Sequence, residues 1–344
     1  MLSAELHCFR AGFPSNSIQN PSRRKRMKKR LAAVAILAFA GLAFAQTKVS
    51  MVLNWFPETG HAGYFAAQKD GLYKKAGLDL TIIPGGPNTP GGLSLLATGK
   101  AQFAMIGATE VFQAREQGIP VVAIFAPFQN NPQGFMYHAE NPLKGFEDLA
   151  GRTVAISPGA AYWDFVQNKY NLKGKVQVIN YNGQLADWAR DPKRVTQNYV
   201  TAEPYNADKL GLKNGTLLIA DSGFNPYADI MVTTEDFIKS NPAAVKAFVE
   251  ASKAGYEAFF ANPKNYVSAL QDANKENTSD VVLWGAEAIK KLMLTGDALK
   301  GGLGIMTAER WNTLYKQLKD LKVLKPETNI DVSKVWTLDF LPKK

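Results

Sequence analysis

The chain has 344 residues, with 40 Lys and Arg against 30 Asp and Glu, a formal net charge of +10, three histidines and one cysteine. Eight of the basic residues and a single acidic one fall within positions 1–45, so the remaining 299 residues carry only +3, and a nucleic-acid partner has no compositional support. Because Cys8 is the one cysteine, disulfides, thiolate metal sites and cysteine nucleophiles are excluded from everything after position 45.

At the start, "RRKRMKKR" (23–30) precedes "LAAVAILAFAGLAFAQ". A basic segment, a short apolar run and small residues at Ala43 and Ala45 make a secretory signal peptide cleaved near Ala45. The apolar run is short of the roughly 20 residues of a membrane span. Met27 reads as an alternative start, and no lipid-anchoring cysteine follows the cleavage point. The expected location is the periplasm.

Strand and helix then alternate. Val49–Asn54 is an apolar strand and a helix runs from Gly60 to Lys69. Leu78, Leu80 and Ile82 alternate with polar residues as in a half-buried strand. A short helix at Leu93–Ala97 follows, then strands at Gln102–Ile106 and Val121–Phe125 flanking a helix at Glu110–Gln117. Further strands are expected to end at Ser157 and to span Val176–Ile179, Val195–Val200 and Leu217–Ala220. Ser240-Asn241-Pro242 starts a long helix, with Val245, Phe248, Val249, Ser252, Tyr256 and Phe259 on one face. Thr307 opens another. The rhythm predicts an α/β protein of two parallel-sheet lobes. Residues 46–140 with 228–344 form the first lobe and 141–227 the second, with crossings near His138–Pro142 and Phe224–Ala228.

Enzyme motifs are missing. "GGPNTPGG" (85–92) lacks the Lys and Ser/Thr of a phosphate loop, and no G-x-G-x-x-G or G-x-S-x-G occurs. Neither cofactor nor metal is expected. What recurs is aromatic and hydrogen-bonding residues after strands, where open α/β sheets bind ligands. Asn54, Trp55, His61 and Tyr64 follow the first strand, Asn88 lies in the glycine loop, Thr109 follows "AMIG", and Gln129 follows "VVAIFA". Ser157, Tyr162 and Trp163 lie in and after "SPGAAYW". Tyr181, Glu203 and Tyr227 complete the candidate ligand-binding set. Trp55, Tyr64, Tyr162, Trp163 and Tyr181 suit stacking on a flat ring, and Glu203 suits an amine or ring N–H. Ser157 and Gly159 offer donors to a ligand oxygen. Few basic residues sit at these strand ends, which counts against an anion.

"LNWFPETGHAGYFAAQKDGLYKKAGLDL" (53–80) resembles the signature of periplasmic binding proteins for the thiamine pyrimidine precursor, shared with fungal pyrimidine synthases. The wider group includes alkanesulfonate, taurine, nitrate and riboflavin binders. "LLATGKAQFAMIGATEV", "FEDLAGRTVAIS", "TAEPYNADKLG" and "SNPAAVKAFVEASKAGYEAFFANP" resemble family counterparts in the same order. The resemblance implies a two-lobed, type II periplasmic-binding-protein fold with a two-crossing hinge. It implies a monomer that captures a small heteroaromatic molecule and delivers it to an ABC permease, with riboflavin or a sulfonate-, taurine- or nitrate-type anion as alternative ligands. The synthases' cysteine-rich motif has no counterpart. "NPYAD" occupies its region, and Glu110 and Ile106 fall where the synthase histidine and lysine would be, so an enzyme is not expected.

Overall fold

The computed structural model describes residues 46–343, and the expected signal peptide lies outside the described residues. Among these, no helix is long and apolar enough to cross a membrane. Two five-stranded sheets organise the chain. The first contains β1 (Thr47–Val52), β2 (Leu78–Ile83), β3 (Phe103–Ile106), β4 (Val121–Phe125) and β10 (Ile230–Thr234), in the order β2-β1-β3-β10-β4. The second contains β5 (Gln133–His138), β6 (Thr153–Ile156), β7 (Gln177–Asn180), β8 (Val195–Tyr199) and β9 (Asn214–Leu218), in the order β7-β6-β8-β5-β9.

Each sheet is mixed, which corrects the expectation of parallel sheets. β1 runs parallel to β2 and β3, but β10 inserts antiparallel between β3 and β4. In the second sheet β6 is parallel to β7 and β8, whereas β5 is antiparallel to β8 and β9. Both reversed strands are the first after a crossing, β5 on entering the second sheet and β10 on re-entering the first, and each runs against its neighbours.

β5 also moves the first crossing. Gln133–His138 is an interior strand of the second sheet, so the chain leaves the first sheet after Phe125 and not near His138–Pro142. Gly134 makes the position possible, because a Cβ there would lie 2.3 Å from the Thr216 side chain. The second crossing lies between β9 and β10 and includes Phe224–Ala228.

The two crossings are tied to each other. Asn131 donates its backbone N–H to Asn225 Oδ1 (2.9 Å) and its Nδ2 to the Pro226 carbonyl (3.1 Å), and Asn225 Nδ2 donates to Asn130 Oδ1 (3.1 Å). Arg310, in the helix Ala308–Asp320, donates to the carbonyls of Gln129 (2.7 Å) and Asn225 (2.9 Å), one on each crossing. Its guanidinium stacks 3.8 Å over the Tyr227 ring.

Close packing behind the first sheet sets the loop after β1. The helices Ala62–Lys69 and Pro242–Ala261 meet at two glycines. A Cβ on Gly63 would lie 2.1 Å from the Tyr256 ring, and one on Gly255 would lie 2.1 Å from the Gly63 carbonyl. Tyr256 then reaches the Gly60 carbonyl (2.6 Å). The "HAGYFAA" pattern is therefore a packing surface, small where a second helix must approach closely.

Candidate functional site

A cavity of about 300 Å³ lies between the sheets, at the carboxyl ends of β1, β3, β6 and β8. From the first sheet it takes Asn54, the turn Gly107–Glu110 and Asp229; from the second, Gln133, Gly159, Tyr162 and Tyr199; from the crossings, Asn131, Phe224 and Tyr227. A larger groove of about 630 Å³ lies elsewhere, over Asn312, Asp331 and Trp336, and shares none of these residues. The strand-end location singles out the smaller cavity as the candidate ligand site.

The expected residues separate into those at the cavity and those away from it. Asn54, Thr109, Tyr162 and Tyr227 line it. Tyr162 donates its hydroxyl to Gln197 Oε1 (2.6 Å), which also accepts the Ser157 N–H (2.6 Å). The Ser157 backbone N–H is thus engaged within the protein, and Gln197, unnoticed in the sequence, shapes this loop. Tyr227 is held by Arg310 over its ring, with its hydroxyl accepting the Thr307 N–H (3.0 Å).

Four expectations are corrected. Tyr64 is fully buried, stacked on Phe248 and edge-on to Tyr256. Its place three residues after His61 turns it toward the helix Pro242–Ala261. Trp163 packs edge-on against Phe135 in the second lobe's core. Gln129 is buried and donates to the carbonyls of Ala126 (3.2 Å) and Ile305 (3.0 Å). Asn88 lies in an exposed turn.

Trp55 and Phe56 remain half exposed, at 49% and 47%, in edge-to-face contact at 5.5 Å. The glycine loop supports them: a Cβ on Gly86 would lie 2.9 Å from the Phe56 ring, and one on Gly85 would lie 2.3 Å from the Leu53 carbonyl. Glu203 has both oxygens occupied by protein donors, Oε1 by the Tyr181 hydroxyl and Oε2 by the Tyr199 N–H, each at 2.8 Å.

His61 is fully buried and neutral. Its Nδ1 accepts the Glu58 N–H (3.2 Å), so Nε2 carries the proton and donates to Asn54 Oδ1 (3.0 Å). Burial lowers its pKa to about 3. Asn54 Nδ2 then donates to Asp229 Oδ1 (2.7 Å). Burial raises the Asp229 carboxyl to about 6; the Asn54 hydrogen bond lowers it and Glu110 raises it further. Glu58 is raised to about 8 by burial, with Asp229 and Glu203 adding repulsion. Glu110 is raised by burial, partly offset by the Gly107 N–H it accepts (2.8 Å). Among the described residues, no Lys or Arg lines the cavity. Tyr199, Asp229 and Glu58 were not singled out in the sequence. In the sequence Asp229 appears only as the last residue of "NPYAD", the segment in the region of the synthase motif.

Two mixed α/β lobes, joined by a double crossing and enclosing a cleft at their strand ends, define the periplasmic-binding-protein fold. The structure is similar to the periplasmic aliphatic sulphonate binding protein SsuA from Escherichia coli, with a TM-score of 0.66 at 14% identity over 86% of this chain and 94% of that one. Residues 58–266 match the family model described as NMT1/THI5 like, and the chain belongs to that family. It is 26% identical to the riboflavin-binding protein RibY of Chloroflexus aurantiacus over 308 residues, covering 86% of each chain. It is 22% identical to the formylaminopyrimidine-binding protein of Halalkalibacterium halodurans over 302 residues, covering 82% of this chain and 91% of the relative.

Proposed function

We propose that the chain is an extracytoplasmic solute-binding protein that captures a small, amine-bearing heteroaromatic ligand and hands it to an ABC permease. The observation that carries the reading is the cavity itself. It holds about 300 Å³, is walled by Tyr162, Tyr199 and Tyr227 and by carboxylates, and has no cationic side chain among its described lining residues. That volume is at the lower end of small-molecule sites, which suits one aromatic ring better than a flavin with its ribityl chain. An anionic sulfonate or nitrate would meet Glu110 and Asp229 with no Lys or Arg among the described lining residues to pair with it directly. The relatives named for riboflavin and formylaminopyrimidine bind flat nitrogen heterocycles, which supports the same chemistry here.

Binding without turnover fits the residues present. The imidazole nearest the cleft, His61, has both nitrogens engaged within the protein. The sequence after position 45 also has no cysteine with which to build the synthase motif. Lobe closure supplies affinity through contacts made only in the closed state, and Trp55, half exposed and next in sequence to the cavity-lining Asn54, is the aromatic group assigned the stacking contact.

Calorimetry with 4-amino-2-methylpyrimidine, riboflavin and benzenesulfonate tests the reading. The aminopyrimidine is expected to bind most tightly, and preference for the sulfonate would overturn it. Stacking on an aromatic is worth about 0.5–1.5 kcal/mol beyond area burial, so Trp55→Ala should weaken aminopyrimidine binding severalfold.

A further inference from the structure

We propose that Asp229, rather than Glu203, is the carboxylate that fixes the ligand, and that it selects a molecule presenting an exocyclic N–H donor, as the amino group of an aminopyrimidine does. The proposal rests on the binding reading above and deepens it. Its basis is a hydrogen-bond chain whose direction is fixed at one end. The Glu58 backbone N–H can only donate, so His61 Nδ1 must accept and Nε2 must carry the proton. Asn54 must then turn its oxygen to His61 and its NH2 to Asp229. No flip of the amide or change of tautomer satisfies all three contacts.

The chain ends on one oxygen of Asp229. Among the described residues, nothing donates to the other oxygen, although Asp229 is only 4% exposed and lines the cavity. A nearly buried carboxylate with unused acceptor capacity facing a cavity calls for a donor from the ligand. Glu203 differs on both counts: each of its oxygens already accepts from the protein, and it does not line the cavity. The backbone supports the assignment. Asp229 has φ +48°, a left-handed conformation that non-glycine residues rarely adopt and that Asp tolerates better than most. It sits where the second crossing enters β10. A strained residue at a lobe junction, aimed into the cleft by a fixed relay, is a common mark of function.

The test compares 4-amino-2-methylpyrimidine with its 4-oxo analogue by calorimetry on wild type, Asp229→Asn and Glu203→Gln. Wild type should prefer the amino compound by about ten- to a hundredfold, the range of a hydrogen bond to a charged acceptor. Asp229→Asn should compress that preference to within about threefold, while Glu203→Gln leaves it intact; loss of packing alone would weaken both ligands and keep their ratio. If Asp229→Asn does not fold, the amino/oxo ratio of wild type and Glu203→Gln decides. A small wild-type ratio, or one that collapses in Glu203→Gln, overturns the role of Asp229. Undiminished preference in folded Asp229→Asn overturns it equally. Failure of wild type to bind either pyrimidine refutes the ligand class itself, which is a separate result.

Discussion

Replacing Arg310 with Met should weaken the junction between the lobes more than any other single polar change. The guanidinium makes two hydrogen bonds to carbonyls on different crossings, at 2.7 and 2.9 Å, and lies 3.8 Å over Tyr227. Each charged hydrogen bond is worth roughly 1.5–3 kcal/mol, and a partly desolvated cation–π contact about 2 kcal/mol. Methionine recovers part of the packing along the stem, and the three contacts share one group, so they do not sum. A net loss of about 3–4 kcal/mol is expected. At roughly 2–4 °C per kcal/mol for a chain of this size, the midpoint should fall by about 6–16 °C. Arg310→Lys retains the charge but cannot reach both carbonyls in one plane, so it should recover less than half of the loss. Urea titration followed by tryptophan fluorescence measures both variants. A loss below about 1 kcal/mol for Arg310→Met would refute the argument, because it would mean that the crossings are held by the Asn130, Asn131 and Asn225 bonds alone.

Three other outcomes are expected. Gly63→Ala places a methyl against the Tyr256 ring and should cost at least about 2 kcal/mol by thermal unfolding; an unchanged midpoint would show that the two helices have room to separate. The pH profile of ligand-free stability should have two opposed limbs. His61, lowered from 6.5 to about 3 by burial, is protonated first in the unfolded chain, so its contribution is lost as pH falls from about 6.5 to 3. Glu58, raised from 4.5 to about 8, has its stabilising contribution below pH 4.5 and loses it as pH rises toward 8, so Glu58→Gln should raise the midpoint at pH 8 more than at pH 4, and equal shifts would argue against a protonated Glu58. Finally, Tyr205 and Lys209 in the second lobe both contact Asp280 of the helix Ser279–Met293, Lys209 at 2.7 Å, while the Tyr205 ring lies 5.1 Å from Trp284. Asp280→Asn should speed aminopyrimidine release in stopped-flow and enlarge the radius of gyration with ligand bound; wild-type values for both would show that the contact is incidental.

Local pattern carried much of the fold. Alternation in Leu78–Ile83, the continuous apolar run of Val121–Phe125 and the proline opening the helix at Pro242 each name their element without help from distant residues. It did not carry β5 and β10. "QGFMYH" begins with Gln-Gly, a pair that reads as a turn, and "IMVTT" follows a Gly- and Pro-containing loop and precedes a helix. Both are strands because neighbours far along the chain, β8 with β9 and β3 with β4, leave an antiparallel slot between them.

The site divides in the same way. The sequence placed Asn54, Thr109, Tyr162 and Tyr227 near a cleft because strand ends are local features, and these residues do line it. It could not distinguish them from Tyr64 and Trp163, which also follow strands but turn inward onto Phe248 and Phe135. Which face of a helix is buried depends on what packs against it. Asp229 stood out least of all. Its chemistry arises from Asn54, 175 residues earlier, and from burial produced by both lobes. Local periodicity and capping determined the elements of this protein. The direction of the two returning strands, and the carboxylate left open to the cleft, were decided only when the tertiary fold brought distant segments together and removed the water between them.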